Sequence, residues 1–315
     1  MDGFWSGRRV CVTGGAGFLG RCVVGRLHAL GAEVFVPRSD RFDLREAPAA
    51  DSMMKESRPE ILIHLAARVG GIGANRRHPG TFFRDNFAMG LHVIEAARAH
   101  AVGKLVMTGT ICSYPKLTPV PFREETLWDG YPEETNAPYG IAKKSLLVMM
   151  QAYRQEFGLR GVYLMPVNLY GPHDNFDLQD SHVIPALIRK CVEARRAGAA
   201  SVTCWGTGAA TREFLYVEDC AEAIVRAAER CEAPDPINLG SGREISIRDL
   251  AETIARLARF TGKIEWDASH PDGQPRRRLD TTKAETMLGW KASTDLEEGL
   301  RRTIEWFEDQ PAGSG

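Results

Sequence analysis

Tyr139 and Lys143 form a Tyr-x-x-x-Lys pair, a spacing that suits acid–base chemistry. On a helix, residues four positions apart lie on one face, with their Cβ atoms about 5–6 Å apart. Tyrosine has an unperturbed pKa of about 10, and a cation beside the phenol favours its ionised form. The pair therefore indicates a proton shuttle. The alternative is a helix face that carries an aromatic residue and a solvated lysine.

A glycine motif lies far upstream, with glycines at positions 14, 17 and 20 in the run Gly14-Gly15-Ala16-Gly17-Phe18-Leu19-Gly20. Such glycines permit a tight turn and a close approach of the backbone to a pyrophosphate, while the following helix N-terminus favours an anion. A glycine pattern alone is a weak signal, because many strand-to-helix turns use glycine. Its place between the first predicted strand and the first predicted helix indicates a dinucleotide site.

The residues that follow the second predicted strand, Pro37-Arg38-Ser39, bear on which dinucleotide binds. A carboxylate at this place bonds the ribose 2′-hydroxyl of NAD, whereas a cation suits the 2′-phosphate of NADP. Arg38 with the neighbouring hydroxyl of Ser39 therefore favours NADP, with NAD the less favoured cofactor. The alternative interpretation of Arg38 is an ordinary surface charge.

These motifs must be held by a regular framework. Apolar runs alternate with amphipathic segments, which predicts an α/β fold: a Rossmann-type doubly wound parallel sheet with a smaller mixed α/β C-terminal substrate domain. We expect residues 1–170 to form the dinucleotide-binding domain, with some later segments returning to it, and residues 171–315 to form the substrate domain of shorter elements and loops. The expected strands are Arg9–Thr13, Glu33–Val36, Ile61–Leu65, Lys104–Met107 and Gly161–Met165. The expected helices are Gly17–Leu30, Asn86–His100 and Tyr139–Phe157.

The composition is that of an ordinary globular protein, with 43% hydrophobic and 26% charged residues among 315. Lys and Arg number 40 against 41 Asp and Glu, so no overall field attracts nucleic acid or a membrane surface. The most apolar run, Leu146–Met150, is far shorter than the ~20 residues of a bilayer span. We expect no signal peptide. The seven cysteines form no C-x-x-C pair, so we expect reduced thiols in the cytoplasm and no metal site.

The glycine loop, the Tyr139/Lys143 pair and the hydroxyl of Thr110 resemble the extended short-chain dehydrogenase/reductase superfamily. Longer stretches resemble the GDP-L-fucose synthase family within it, whose members are NADPH-dependent GDP-4-keto-6-deoxymannose 3,5-epimerase–4-reductases. The resemblance covers nearly the whole chain. The stretches that carry it are Val69–Ile72, Cys112–Lys116, Asn136–Tyr139, Asn168–Phe176, Ser181–Leu187, Trp205–Gly206, Arg212–Phe214 and Pro271–Gly273.

The resemblance implies that Tyr139 donates a proton to the sugar C4 oxygen, that Lys143 holds the nicotinamide ribose and that Thr110 orients the carbonyl. It makes Cys112 and His182 the acid–base pair of epimerisation. The implied cofactor residues are Gly14, Gly15, Ala16, Gly17, Phe18, Leu19, Gly20, Arg38, Ser39, Leu65, Ala66, Ala67, Lys143, Pro166, Val167, Asn168, Leu169 and His182. The implied nucleotide-sugar residues are Lys190, Trp205, Arg212 and Asp272.

Four positions depart from the family pattern. Thr110 replaces a serine and keeps the hydroxyl, whereas Lys190 replaces a frequent arginine and loses bidentate geometry. Ala16 stands where a basic residue often helps to bind the 2′-phosphate, which leaves Arg38 to act more alone. Ser113 replaces an apolar residue, and we expect it to loosen its loop.

Several other functions use the same core residues. A nucleotide-sugar 4-epimerase would keep NAD bound and would not need Cys112 or His182. A 4,6-dehydratase is disfavoured, because Thr110 is followed by Ile111 rather than by an Asp-Glu pair. A non-catalytic NADP sensor would not need Tyr139. A related epimerase or 4-reductase acting on a heptose or a secondary-metabolite deoxysugar also remains open.

The helix that contains Tyr139 carries two apolar faces. One stripe suits the core and comprises Ala142, Leu146, Met149, Met150, Tyr153 and Phe157. Ile141, Val148 and Ala152 fall on the opposite side, where a monomer would present polar residues. We therefore expect a homodimer built from paired helices. The alternative is coverage by the chain's own C-terminal segments.

Overall fold

The computed structural model describes residues 3–178, 180–269 and 272–311. Pro271, part of one stretch that carries the resemblance, lies outside them. The elements up to residue 170 are β1 (Arg9–Thr13), α1 (Phe18–Ala29), β2 (Glu33–Phe35), α2 (Ala47–Ser57), β3 (Ile61–His64), α3 (Ile72–Arg77), α4 (Pro79–Ala99), β4 (Lys104–Thr108), α5 (Ala137–Phe157), β5 (Gly161–Pro166) and β6 (Asn168–Tyr170). Two 3₁₀ turns, Ile111–Ser113 and Glu124–Trp128, lie between β4 and α5.

The remaining elements build the second half of the chain. They are α6 (Val183–Ala197), β7 (Ser201–Trp205), β8 (Thr211–Tyr216), α7 (Val217–Arg230), β9 (Ile237–Leu239), β10 (Glu244–Ser246), α8 (Ile247–Leu257), β11 (Lys263–Asp267), β12 (Arg276–Arg277), α9 (Thr282–Leu288) and α10 (Leu296–Glu308).

A six-stranded parallel sheet in the order β2-β1-β3-β4-β5-β9 forms the framework. Every residue of its inner strands β3 and β4 is buried, because helices cover both faces of a parallel sheet. This confirms the predicted α/β Rossmann-type fold. The strand order reverses between β1 and β3, and the loops that leave these two strands open a crevice there.

Two hydrophobic clusters hold the molecule together. The larger one surrounds the six-stranded sheet and draws on the second half of the chain, since it contains Ile224 of α7 and Leu239 of β9. The smaller one lies among α6, α8 and α10 and is centred on Ile188, Leu250 and Leu300. Smaller sheets flank it: β8 pairs with β6, β10 and β12, and β7 pairs with β11.

The sequence placed several elements inaccurately. Helix α4 begins at Pro79 rather than Asn86, because the fixed φ of proline suits a first helical turn. Helices α2 and α3 were not expected. The expectation of short elements after residue 171 was wrong, since α6, α7 and α10 contain 15, 14 and 13 residues.

Helix α5 shows how far its apolar faces are covered. Ala142, Leu146 and Met150 are buried as expected, with α4 packed closely against them. Phe157 was expected in the core but is 47% exposed, because it lies at the last turn of α5 and packs edge-on against Tyr153. Val148 on the opposite face is also 47% exposed, so residues 3–178, 180–269 and 272–311 leave it partly uncovered.

Three broader properties follow from the described residues. No helix in residues 3–178, 180–269 and 272–311 is long and apolar enough to cross a bilayer. All seven cysteines are free thiols. Within the same ranges, no group of three or more His, Cys, Asp or Glu side chains is arranged to hold a metal ion.

Candidate active site

The glycine loop between β1 and α1 leaves no room for side chains at two positions. A Cβ on Gly14, whose φ is 71°, would lie 2.7 Å from the amide nitrogen of Ala66, and one on Gly20 would lie 2.0 Å from the Gly14 oxygen. Within the part of the chain that the structure describes, no side chain caps the first turn of α1 at Gly17. The amides of this turn therefore remain available to an anion in the crevice.

The buried side chains of Thr13 and His64 lie at the ends of β1 and β3, next to this loop. Thr13 Oγ1 and His64 Nδ1 are 2.8 Å apart. Burial, together with the nearby charge of Lys143, lowers the pKa of His64 to about 3, so the ring is neutral. Gly15 lies against Val36, where a Cβ would be 2.9 Å from a methyl carbon.

Arg38 and Ser39 follow the end of β2 and are exposed at the wall of the crevice. Among the described residues, no carboxylate pairs with the guanidinium of Arg38. Its neighbour Arg41 differs, because both of its terminal nitrogens bond the carboxylate of Glu56. Arg38 is therefore a cation that is available to a phosphate in the crevice.

Lys143 lies on α5 one turn after Tyr139 and is almost completely buried. Its Nζ donates a hydrogen bond to the Thr108 carbonyl oxygen at 3.1 Å, and burial lowers its pKa to about 8. The backbone is fixed at this position because Tyr163 Oη donates to the Lys143 carbonyl at 2.6 Å. An ammonium group has three donors, so a ligand that offers hydroxyl oxygens would satisfy this buried cation.

Tyr139 and Thr110 meet at the base of the crevice. Burial raises the pKa of Tyr139, the nearby Cys112 sulfur raises it further, and a hydrogen bond with Thr110 opposes both effects. The phenol is therefore protonated near neutral pH, as a proton donor must be. Thr110 also caps the 3₁₀ turn that follows it, since its Oγ1 accepts a hydrogen bond from the Cys112 amide at 3.2 Å.

Ser113 ties this 3₁₀ turn to α5. Its side chain is buried and donates a hydrogen bond to the Gly140 carbonyl oxygen at 2.9 Å. The close approach requires glycine, because a Cβ on Gly140 would lie 2.3 Å from the Cys112 oxygen. The expectation that Ser113 loosens its loop was therefore wrong.

His182 occupies the N-cap position of α6 and lines the same crevice. The loop before it is held from α3, where the Gly71 amide donates to the Asp180 oxygen at 2.9 Å and Arg77 pairs with the Asp180 carboxylate. His182 is exposed to the crevice, but the protein around its imidazole disfavours the charged ring and lowers its pKa. The ring is therefore mostly neutral before a ligand binds.

Lys190 and Trp205 form one wall of the crevice. Lys190 Nζ donates to the Thr203 oxygen at 2.8 Å and lies 5.9 Å from the centre of the Trp205 ring. Trp205 is 59% exposed. An aromatic face beside a cation suits a planar base attached to a phosphate.

Arg212 and Asp272 also line the crevice and are hydrogen-bonded to each other. Arg212 Nη2 donates to the Asp272 carbonyl oxygen at 3.1 Å. Burial, together with the nearby Arg277, lowers the pKa of Arg212 to about 10. The Asp272 carboxylate accepts from the amide and hydroxyl of Thr207 at 2.7 and 2.6 Å, which fixes the loop around Gly206.

These side chains share one cavity of about 1710 Å³. Single-ligand pockets measure roughly 300–1,000 Å³, so this cavity has room for a dinucleotide and a second nucleotide together. Every catalytic, cofactor and substrate residue expected from the sequence lines it, except Gly15. Gly15 instead packs against Val36.

Residues 10–240 match the model of the NAD dependent epimerase/dehydratase family. The chain belongs to this family. Within the epimerase/dehydratase family it is 41% identical over 301 residues to GDP-L-fucose synthase of Sinorhizobium fredii (strain NBRC 101917 / NGR234), which covers 96% of each chain.

Solved structures also resemble this chain over nearly its whole length. A GDP-L-fucose synthetase from Naegleria fowleri bound to NADP is 28% identical, with a TM-score of 0.89 over 96% of this chain and 95% of that chain. A GDP-6-OMe-4-keto-L-xylo-heptose reductase from C. jejuni is 26% identical, with a TM-score of 0.91 over 97% and 99%.

Sequence analysis missed three residues of this site. Arg277 and Gln274 line the cavity beside Cys112, but nothing in the run of arginines 276–278 distinguishes the one that enters it. Asp174 also lines the cavity. Burial raises its pKa to about 7, and its Oδ2 has no hydrogen-bond partner among the described residues. A buried carboxylate of this kind has no signature in the sequence.

Proposed function

We propose that this protein is an NADPH-dependent 3,5-epimerase and 4-reductase that converts GDP-4-keto-6-deoxy-D-mannose to GDP-L-fucose. One observation carries the proposal: Thr110, Tyr139 and Lys143 share a cavity with a thiol and an imidazole, Cys112 and His182. The first three can serve ketone reduction, and the other two add the acid–base groups that inversion at carbon requires. The relatives named GDP-L-fucose synthase support the choice of nucleotide and sugar.

The residues of the crevice fit NADPH. Gly14 and Gly20 allow no Cβ, so the loop can approach a pyrophosphate, and Arg38 is available to the 2′-phosphate. Lys143 is a buried cation with donors to spare for ribose hydroxyls. When bound, the cofactor supplies a hydride to the sugar C4.

The reductase step depends on which side chains in the cavity are protonated. Tyr139 is protonated because burial raises its pKa, so it can deliver a proton to the C4 oxygen as the carbonyl becomes an alcohol. Thr110 is hydrogen-bonded to Tyr139. Its hydroxyl can act as a second donor that orients the C4 carbonyl of the sugar. Lys143, charged below its pKa of about 8, holds the ribose and favours the phenolate that Tyr139 leaves behind.

The epimerase step uses the two carbons beside the ketone. Loss of a proton from C3 or C5 to Cys112 leaves an enolate whose charge rests on O4, where Thr110 and Tyr139 can stabilise it. Inversion requires a proton from the other face, which we assign to His182. Because the pKa of His182 is lowered, the ring must first gain a proton, and the anionic substrate in the cavity favours that charge.

The direct test is incubation of the purified protein with GDP-4-keto-6-deoxymannose and NADPH. We expect NADPH to be oxidised in step with formation of GDP-L-fucose, identified by NMR. Formation of a 4-epimer without net oxidation of NADPH would identify a 4-epimerase instead, and absence of any conversion would favour a sensor.

A 4-keto-heptose is the second candidate substrate, because the C. jejuni heptose reductase is similar over 97% of this chain. A parallel assay with a GDP-4-keto-heptose distinguishes the two. A higher kcat/KM for the heptose would replace the proposed substrate while leaving the residue roles in place.

We expect NADPH to outperform NADH, because Arg38 provides a charge-assisted hydrogen bond to the 2′-phosphate. Such a bond contributes about 1.5–3 kcal/mol, which is roughly a tenfold to hundredfold preference. In Arg38→Ala the ratio of kcat/KM values should fall towards one. Arg41→Ala is the matched control, since Arg41 is occupied by Glu56. Equal kcat/KM values in the wild type would contradict the assignment.

We also propose a homodimer formed through the outer faces of α4 and α5, because Val148 is 47% and Phe83 is 38% exposed there. Light scattering should give twice the chain mass of 34.8 kDa. Val148→Asp should shift the protein to monomer, whereas Met287→Asp, at another exposed apolar position on α9, should not. A wild-type monomer at micromolar concentration would contradict the proposal.

Two further assignments complete the proposal. Residues 1–170, with later segments such as β9 that return to the six-stranded sheet, form the cofactor domain. The rest of residues 171–315 bind the nucleotide sugar, because the glycine loop and Tyr139 precede this boundary while Lys190 and Arg212 follow it. The protein acts in the cytoplasm, an environment that suits its seven free thiols.

A further inference from the structure

Arg277 lies beside the sulfur of Cys112, a contact that no sequence motif predicts. Its Nη1 donates to Cys112 Sγ at 3.8 Å, a suitable distance for the larger sulfur atom. Among the described residues, no carboxylate pairs with Arg277. The preceding Arg276 differs, since its guanidinium pairs with Glu244 at 2.6 Å.

The position of Arg277 is fixed through its side chain. Its Nε donates to Gln274 Oε1 at 2.7 Å, and Gln274 Nε2 donates to the Lys116 oxygen at 2.6 Å. The segment 274–277 therefore contacts both ends of the loop that runs from Cys112 to Lys116. The hydrogen bond to Gln274 therefore restrains the guanidinium beside the sulfur.

The backbone around Arg277 is fixed as well. In β12, Arg277 lies opposite Arg212 of β8. The chain that follows pairs with Phe122, whose amide donates to the Arg278 oxygen at 2.7 Å and whose oxygen accepts from Asp280 at 2.8 Å. The Leu279 amide donates to the buried carboxylate of Glu213 at 2.6 Å. Arg277 thus sits on a segment that is held on both sides.

We propose that Arg277 is a positioning residue that stabilises the thiolate of Cys112 and aims it at the substrate. The inference rests on the proposed epimerase function, in which Cys112 removes a proton from C3 or C5. A guanidinium beside a sulfur favours the thiolate over the thiol. After the thiolate takes the proton, the resulting thiol is neutral, and the proton exchanges with solvent when the thiolate re-forms.

The test begins with the free enzyme, where no substrate is needed. Iodoacetamide alkylation of Cys112 is followed by peptide mass spectrometry, with Cys22 as an internal reference because it is the other partly exposed thiol. Arg277→Gln should slow alkylation of Cys112 at pH 7 by roughly tenfold, the size of one charge-assisted hydrogen bond. Arg277→Lys should restore most of the rate, and Arg276→Gln should leave it unchanged.

The second measurement is solvent-deuterium incorporation at C3 and C5 of GDP-4-keto-6-deoxymannose. Arg277→Gln should reduce incorporation by a factor similar to that in alkylation, largely through kcat. If alkylation is unchanged and only KM rises, Arg277 binds the substrate diphosphate and the inference is wrong. If the wild type incorporates no deuterium while alkylation still depends on Arg277, the proposed function fails and the pairing of Arg277 with the thiolate stands.

Discussion

Replacing Tyr139 with phenylalanine should abolish reduction of the 4-keto sugar while leaving proton exchange at C3 and C5. The variant lacks the group that protonates the C4 oxygen, and a positioned general acid is worth roughly 10²–10⁴-fold in rate. Exchange needs only that the enolate forms, and Thr110 remains to bond its oxygen. NADPH binding should also persist, because Lys143 and the glycine loop are unchanged.

Three measurements on the same protein check this expectation: NADPH oxidation, deuterium incorporation from D₂O, and NADPH binding by fluorescence. Tyr153→Phe is the matched control, because Tyr153 lies on the same helix but does not line the cavity. Its hydroxyl donates a hydrogen bond to the Glu95 carboxylate at 2.9 Å. If Tyr139→Phe reduces the ketone at the wild-type rate, another group is the proton donor.

Replacing Cys112 with serine should give the opposite pattern, with exchange at C3 and C5 lost and NADPH still bound. A serine hydroxyl is a far weaker acid than a thiol, so it is almost never ionised near neutral pH. The expected loss is again roughly 10²–10⁴-fold. In this variant the backbone amide of residue 112 can still donate its hydrogen bond to Thr110 Oγ1. The 3₁₀ turn and the positions of Thr110 and Tyr139 should therefore be preserved.

The control is Cys22→Ser. Cys22 is, like Cys112, partly exposed, but it does not line the cavity. The exchange and reduction rates of this variant should match those of the wild type. If the wild type consumes a 4-keto sugar with no deuterium entering C3 or C5, the protein is a plain 4-reductase. The roles assigned to Cys112 and His182 would then be wrong.

The sequence predicted those parts of the site that depend on local geometry. Tyr139 and Lys143 are one helical turn apart, so their neighbourhood follows from the helix itself. The glycine loop likewise follows from a strand, a turn and a helix that are consecutive in the chain. The parallel sheet was evident because strands buried on both faces appear as continuous apolar runs.

Contacts between distant parts of the chain were not predictable in this way. Arg277 reaches Cys112 across 165 positions. The pairing of β12 with β8 places it there, and β12, with two residues, is too short to leave a pattern. Ser113 appeared to be a polar intrusion because its partner, the Gly140 oxygen, is a backbone atom that every residue has. Pro79 was not recognised as a helix start because proline also marks loops.

The place of β9 in the sheet has a consequence for how the protein is made. Strand β5 is paired by β4 on one side and by β9 on the other, and α7 packs against β4, β5 and α1. While the chain leaves the ribosome, residues 9–166 can form five strands. The outer edge of β5, and the apolar surface of β4 and β5 on which α7 packs, stay uncovered until residues 217–239 emerge. Unpaired edges of this kind attract other chains. We therefore expect the first half to be open to contacts with other chains until the second half has been synthesised.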